Sequence, residues 1–235
     1  RYIMEEKGKF FINIDDPIQE KWVKHESHST YGQNKKANYQ IEHIKEKGLP
    51  TSVKFQNLII KSHLFGDYNF FNIAASIALS KYLDVPNQKI KTAIESYIPE
   101  NNRSQLINKR ENKILLDAYN ANPSSMSAAI NSFSDNNPKD NIAIIGDMLE
   151  LGGYEKEGHI KIINLLENSS FDEIILIGNI FLKFSNRQNR NKNKMQFYKN
   201  KREVINYLKK RKFENKNILI KGSRKIQLEE LIKYF

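Results

Sequence analysis

Two short segments concentrate side chains that bind polar ligands. The first, Asp117-Ala-Tyr-Asn-Ala-Asn-Pro-Ser-Ser-Met126, places a carboxylate, two amides and two serine hydroxyls close together. The second, Gly146-Asp-Met-Leu-Glu-Leu-Gly152, adds two more carboxylates. Asp117 follows an apolar run, where a carboxylate suits ribose hydroxyls, a metal or an ammonium; a helix cap or turn residue would look the same. Asn120 and Asn122 each offer amide donors and an acceptor, which suits phosphate or carboxylate binding, although Asn-Pro also marks turns. Ser124 and Ser125 fall where a first helical turn would point N–H groups at an anion. Asp147 and Glu150 either hold an amine and organise basic neighbours or cap the next helix. Lys221-Gly-Ser-Arg224 sets two cations beside a glycine, which suits a carboxylate or phosphate; the bland alternative is a surface turn. His159, at helical spacing with apolar residues, reads as a packed, hydrogen-bonded histidine. His25, His28, His43 and His63 show no metal spacing and the chain has no Cys, so no metal site is expected.

These residues need a frame. Runs 142–146, 174–178 and 218–222 are apolar and close on Gly, and run 113–117 closes on Asp. Helical patterns follow at 123–133, 155–166, 202–211 and 227–234, with a further short strand at 195–198. Strand–helix alternation predicts βαβ units and a mostly parallel sheet. Right-handed crossovers then bring 117–122, 146–150, 178–179 and 221–224 to one edge, where ligands of open α/β sheets bind. The first hundred residues read differently: a strand at 8–14, polar and loop-like sequence over 25–50, alternation over 53–65 that suits antiparallel strands, and helices from Asn69 or Asn72 to Leu83 and from Pro86 to about Tyr97. Ile98-Pro-Glu-Asn-Asn102 is the linker, and Arg103 just beyond it is within reach of either side.

Composition narrows the class. Apolar content of 39% with 13 Phe and 11 Tyr supports real cores. The missing cysteines suit a reducing compartment and no apolar run spans a bilayer, so a cytoplasmic protein is expected, and a monomer. The first residue is not Met and no apolar leader follows it, which points to a truncated chain. The net charge of +11 sits in residues 160–235, with 18 basic against 7 acidic, concentrated at 187–201 and 209–212. Without interleaved aromatics or a nucleic-acid motif, that excess reads as a solvated lysine-rich face, not a nucleic-acid surface. No Gly-x-x-x-x-Gly-Lys-[Ser/Thr] phosphate loop, no Gly-x-Ser-x-Gly and no Gly-x-Gly-x-x-Gly is present.

Together, Phe11-Ile-Asn-Ile-Asp-Asp16, Gly66-Asp-Tyr-Asn-Phe-Phe-Asn-Ile-Ala-Ala75, Asn102-Arg-Ser-Gln105, the two segments above with His159, and Lys221-Gly-Ser-Arg224 resemble the Mur ligase family. Within it they resemble the branch that adds D-Ala-D-Ala to UDP-MurNAc-tripeptide. The resemblance implies an α/β chain: residues 1–98 as the end of a central ATP-binding domain, and 99–235 as a C-terminal Rossmann-like domain. The phosphate loop, the Mg2+ ligands and a carbamylated lysine would lie in a missing N-terminal part, so catalysis by these residues alone is not expected. The implied reaction is ATP-dependent amide ligation through an acyl phosphate. The resemblance places Asn69 and Asn72 near adenine, Asp117 on the ribose and Arg103 near the terminal phosphate. Asn120, Asn122, Ser124, Glu150, Lys221, Ser223 and Arg224 would border the D-Ala-D-Ala site, with Arg103 and Asn120 as the catalytic pair. Two other readings remain: a folylpolyglutamate synthase-like ligase and a non-catalytic basic binding module.

Overall fold

The apolar runs form two separate sheets. The computed structural model describes residues 8–24, 27–137, 139–187 and 194–235. The chain divides into two units, Arg1–Ile98 and Pro99–Phe235. His25 and residues 188–193 of the basic run lie outside the described residues.

The first unit holds a five-stranded sheet in chain order: β1 (Phe10–Asn13), β2 (His28–Gly32), β3 (Tyr39–Ile44), β4 (Ser52–Phe55) and β5 (Leu58–Lys61). β1, β2 and β3 pair in parallel, and β3–β4–β5 form an antiparallel meander. Helices α1 (Asn69–Tyr82) and α2 (Asn87–Ser96) follow. α1 buries Phe70, Ile73, Ala74, Ile77 and Ala78, which share a core with Ile41, Val53, Phe55 and Ile60.

One expectation is corrected here: residues 25–50 are not loop-like, since they contain β2 and β3. Hydropathy missed β2 because it is built from His-Ser-Thr-Tyr-Gly. Ser29 and Thr30 are buried, and Thr30 is satisfied internally: its N–H and hydroxyl both donate to Asn38 Oδ1, and the Asn38 N–H donates back to Thr30 Oγ1. β3 carries one fully buried apolar anchor, Ile41, too little to register as a periodic pattern.

The second unit holds β6 (Gln105–Lys109), β7 (Asn112–Asp117), β8 (Asn141–Gly146), β9 (Glu173–Ile177), β10 (Met195–Tyr198) and β11 (Asn217–Lys221), in the spatial order β10-β9-β8-β11-β7-β6. Every pair is parallel except the β6–β7 hairpin. Helices α3 (Pro123–Asn136), α4 (Glu155–Glu167), α5 (Asn179–Leu182) and α6 (Lys201–Lys210) connect them. The parallel strands and the edge they share are as the alternation predicted.

Side chains at alternate strand positions enter opposite layers. Ile114, Leu116, Ile142, Ile144, Ile175, Ile177, Ile218 and Ile220 pack with Val204 and Leu208 of α6 and with Leu228, Leu231 and Phe235. Leu115, Ala143, Ile145 and Leu219 are equally buried on the other face. The predicted helix at 227–234 is a 3-10 helix, Leu228–Tyr234, burying Leu228 and Leu231. Their spacing of three matches the 3-10 repeat and stacks both leucines on the sheet.

β11 enters the gap left when the chain crosses from β7 to β8. In register Lys221 therefore lies between Asp117 of β7 and Ile145 of β8. This reversal of strand order is where open α/β sheets leave a crevice at the strand ends.

Candidate functional site

The carboxyl ends of β7, β11 and β8 form one shelf, and a buried ion pair fastens it. The Lys221 ammonium donates to Asp117 Oδ2, with side chains 3% and 13% exposed. The same ammonium approaches the carbonyls of Asn120 at 3.4 Å and Asp117 at 3.5 Å. The other carboxylate oxygen of Asp117 accepts the Ser104 N–H at 3.1 Å. One aspartate thus ties three segments together: the stretch carrying Arg103, the 117–122 loop, and the 221–224 loop.

A second carboxylate organises the β8 end. Asp147 is buried, and its two oxygens accept the N–H groups of Ile180 and Phe181, each at 2.9 Å. It therefore caps α5, the helix after the next strand, and not α4. Gly178, with φ +133°, makes room for it: a Cβ there would sit 2.1 Å from the Asp147 carboxylate. Burial pushes the Asp147 carboxyl up from its ordinary value, against the lowering effect of those two N–H bonds.

His159 is fully buried on α4. Its Nε2 accepts the Met148 N–H at 3.0 Å, so Nδ1 carries the proton and donates to the Glu155 carbonyl at 2.7 Å. Burial holds the ring below its ordinary pKa, consistent with a neutral imidazole 3.6 Å from Asp147. The packed reading of His159 is the one observed. Ser223 completes the bracing: its Oγ accepts the Leu149 N–H at 2.9 Å and its N–H donates to the Asp147 carbonyl. Gly222 lets the strand ends approach, since a Cβ there would lie 3.0 Å from the Gly146 Cα.

On this frame lies a shallow open pocket of roughly 250 Å³, lined by Tyr119, Asn120, Leu149, Glu150, Ser223, Arg224 and Lys225. One wall residue is an anion and two are cations. Asn120 is exposed, and its Oδ1 accepts the Ala121 N–H at 2.7 Å. The Arg103 and Arg224 guanidiniums lie over the Tyr119 ring, 3.7 and 4.9 Å from its centre. A hydrogen bond from Arg103 and its charge, then the charge of Arg224, hold the Tyr119 phenol below its ordinary pKa.

The structure therefore brings Arg103, Asp117, Asn120, Glu150, Lys221, Ser223 and Arg224 to one edge. Asn122 instead forms a capping box with Ser125 at the start of α3, accepting the Ser125 N–H at 2.8 Å. Ser124 is exposed in the first turn of that helix and does not line the pocket. Asn69 and Asn72 belong to the first unit. Asn69 is buried, donating to the Phe65 carbonyl at 2.8 Å and accepting from exposed Asn72 at 3.0 Å. Sequence reasoning overlooked Tyr119, Leu149 and Lys225. The cue for Tyr119 was its place two residues beyond Asp117, but it becomes legible only once β7 is known to pair with β11. Among the described residues no cluster of three or more metal-ligating side chains occurs, and no helix is long and apolar enough to cross a membrane.

Comparison with known proteins matches residues 102–224 to the Mur ligase glutamate ligase domain and residues 3–80 to the Mur ligase middle domain. The chain is 26% identical over 238 residues to the UDP-N-acetylmuramoyl-tripeptide--D-alanyl-D-alanine ligase of Bacillus subtilis (strain 168), covering 98% of this chain and 51% of that protein. It is 32% identical over 134 residues to the enzyme of that name from Rickettsia prowazekii (strain Madrid E), covering 57% of this chain and 29% of that protein. The fold superposes on the MurF ligase of Thermotoga maritima in complex with ADP with a TM-score of 0.76, at 20% identity, over 97% of this chain and 53% of that one. The chain spans about half the length of the Bacillus relative.

Proposed function

The chain belongs to the Mur ligase family, and from that premise we propose that it carries the middle-domain and glutamate-ligase-domain portions of an ATP-dependent ligase joining D-Ala-D-Ala to UDP-MurNAc-tripeptide. The observation that carries the reading is the grouping of Arg103, Asn120, Glu150 and Arg224 on the shelf fastened by Asp117 and Lys221. A pocket with one carboxylate and two cations complements a zwitterion. Glu150 would face the dipeptide ammonium and Arg224 with Lys225 its carboxylate. Asn120, exposed on the wall of the same pocket, would bond the peptide group.

ATP, bound with Mg2+, would supply the phosphoryl group, giving the tripeptide acyl phosphate and ADP; the dipeptide amine would then displace phosphate and lose its proton. Arg103 is exposed beside the anchored Ser104, and its fixed charge would stabilise the transferring phosphoryl oxygens. Asp117 retains lone pairs beyond those used by Lys221 and Ser104, so a ribose hydroxyl can still donate to it. In the first unit Asn72 is the exposed amide and Asn69 its buried support, so adenine recognition there would fall to Asn72. A cytoplasmic monomer is part of the same reading.

The test uses the complete protein. Phosphate release should require both UDP-MurNAc-tripeptide and D-Ala-D-Ala. Release that depends on glutamate instead of D-Ala-D-Ala would overturn the assignment in favour of a folylpolyglutamate synthase-like activity.

A further inference from the structure

Arg103, Tyr119 and Arg224 come from three separate stretches: before β6, after β7 and after β11. Their meeting follows from the anchors beneath them. Asp117 holds the Ser104 N–H, one residue from Arg103, and the Lys221 ammonium, three residues before Arg224. Both guanidiniums then lie over one ring, at 3.7 and 4.9 Å from its centre. They are no farther apart than those two distances combined, and neither forms an ion pair among the described residues. Two cations this close repel. The negative face of the ring and the phenol oxygen offset part of that repulsion. An anion seated against both would offset the rest, and the planar forks of two arginines match carboxylate and phosphate oxygens.

We propose that Tyr119 is a positioning residue: its ring gathers the Arg103 and Arg224 guanidiniums so that both address one oxyanion, a carboxylate or a phosphate, at the mouth of this pocket. Under the ligase reading this shared oxyanion replaces the separate anions given to Arg103 and Arg224 above, so that both hold the phosphoryl group or both hold the dipeptide carboxylate; the clamp itself does not depend on that reading. The ring is only partly buried and lies at the sheet edge, outside both core layers, so its removal leaves the fold intact.

The test titrates the 235-residue chain with inorganic phosphate and, separately, with acetate, following the arginine side-chain N–H resonances by NMR. Tyr119→Leu should weaken binding about tenfold, the equivalent of one good cation–π interaction. Tyr119→Phe keeps the ring and should stay within about twofold. In the Tyr119→Leu background, Arg224→Gln should add little, because the two guanidiniums no longer act together. Stronger binding of phosphate assigns the clamp to a phosphoryl group, and stronger binding of acetate assigns it to a carboxylate. Unperturbed strand amides verify the fold of each variant. A second readout is the phenol itself, isolated as wild type minus Tyr119→Phe in a near-ultraviolet pH titration. Phosphate should raise the Tyr119 pKa back toward its ordinary value by neutralising the cations that depress it. Wild-type affinity in Tyr119→Leu, a phenol indifferent to phosphate, or no oxyanion binding at all would overturn the proposal. Loss of ligation in the complete protein with the clamp intact would count against the ligase reading alone.

Discussion

Asp117→Ala removes the fastening of the shelf, and its effect follows from burial. The Lys221 side chain is 3% exposed and that of Asp117 13%. Without the carboxylate, the ammonium stays in the interior with only the carbonyls of Asn120 at 3.4 Å and Asp117 at 3.5 Å in reach. Breaking a buried pair from one side costs about 3–5 kcal/mol. The Ser104 N–H loses its acceptor as well, worth ~1 kcal/mol. The two carbonyls and water entering the new space return part of this, so the expected loss is about 3–4 kcal/mol. Lys221→Met should cost less, about 1–2 kcal/mol, because Asp117 is the more exposed partner and keeps the Ser104 bond. The double variant leaves no orphaned charge. It should be no worse than Lys221→Met, giving a coupling of about 3 kcal/mol or more. Urea unfolding followed by far-ultraviolet circular dichroism measures all three. The one tryptophan, Trp22, lies in the first unit, so its fluorescence transition should not move while the second unit's does. A loss under about 1 kcal/mol for Asp117→Ala, or a double variant weaker than that single one, would refute the reasoning.

Gly178→Ala sets a Cβ 2.1 Å from the Asp147 carboxylate at φ +133° and should destabilise the second unit by at least about 2 kcal/mol in urea titration. Asn122→Ala should lose about 1 kcal/mol as a helix cap, and the KM for D-Ala-D-Ala in the complete protein should change by less than about twofold; a large KM change with stability intact would instead assign Asn122 to the substrate. Burial lowers the His159 pKa in the fold, so the unfolded chain binds the extra proton first: its contribution is complete above the ordinary value of 6.5 and is lost as pH falls below it. His159→Gln, whose amide can still accept from Met148 and donate to Glu155, should flatten the fall of the urea midpoint in that range, although Asp147, Glu155 and Lys183 around the ring are unchanged; an unaltered pH profile would remove His159 as its source. Glu150→Gln in the complete protein should raise the KM for D-Ala-D-Ala about tenfold while leaving urea stability within about 0.5 kcal/mol, since Glu150 is exposed and has no hydrogen bond or ion pair among the described residues.

The second unit was legible because its central strands are buried on both faces. Near-continuous Ile and Leu runs closed by Gly declare parallel strands, and their chain order fixes which loops share an edge. The first unit was less legible where polar residues carry the sheet. β2 buries Ser29, Thr30 and Tyr31 by pairing Thr30 with Asn38, a bond between side chains eight residues apart that no periodicity announces. The β6–β7 hairpin also went unseen, because β6 alternates only half-buried and exposed positions. In the site, residue types were readable and their partners were not. Asp147 looked equally like an amine binder and a cap; its partners are 33 and 34 residues away and reach it only because Gly178 admits the carboxylate.

Asp117 closes one apolar strand run and Asp147 follows the glycine that closes another, yet the frame engages each differently: one through Lys221 and Ser104, the other through the first turn of α5. An aspartate with both oxygens held by donors of the frame is a rigid support. Asn120, Glu150 and Arg224 line the open pocket above this frame, and Arg103 meets Arg224 over the Tyr119 ring. That division separates the effects of substitution. Changes at Asp117, Asp147 or Lys221 should appear first in unfolding and only then in turnover. Changes at Glu150 or Arg224 should appear in KM with unfolding unaltered. An Arg224→Gln variant that unfolded as readily as Asp117→Ala would show that the guanidinium is part of the frame, and the division would fail at the residue where the ligand reading depends on it most.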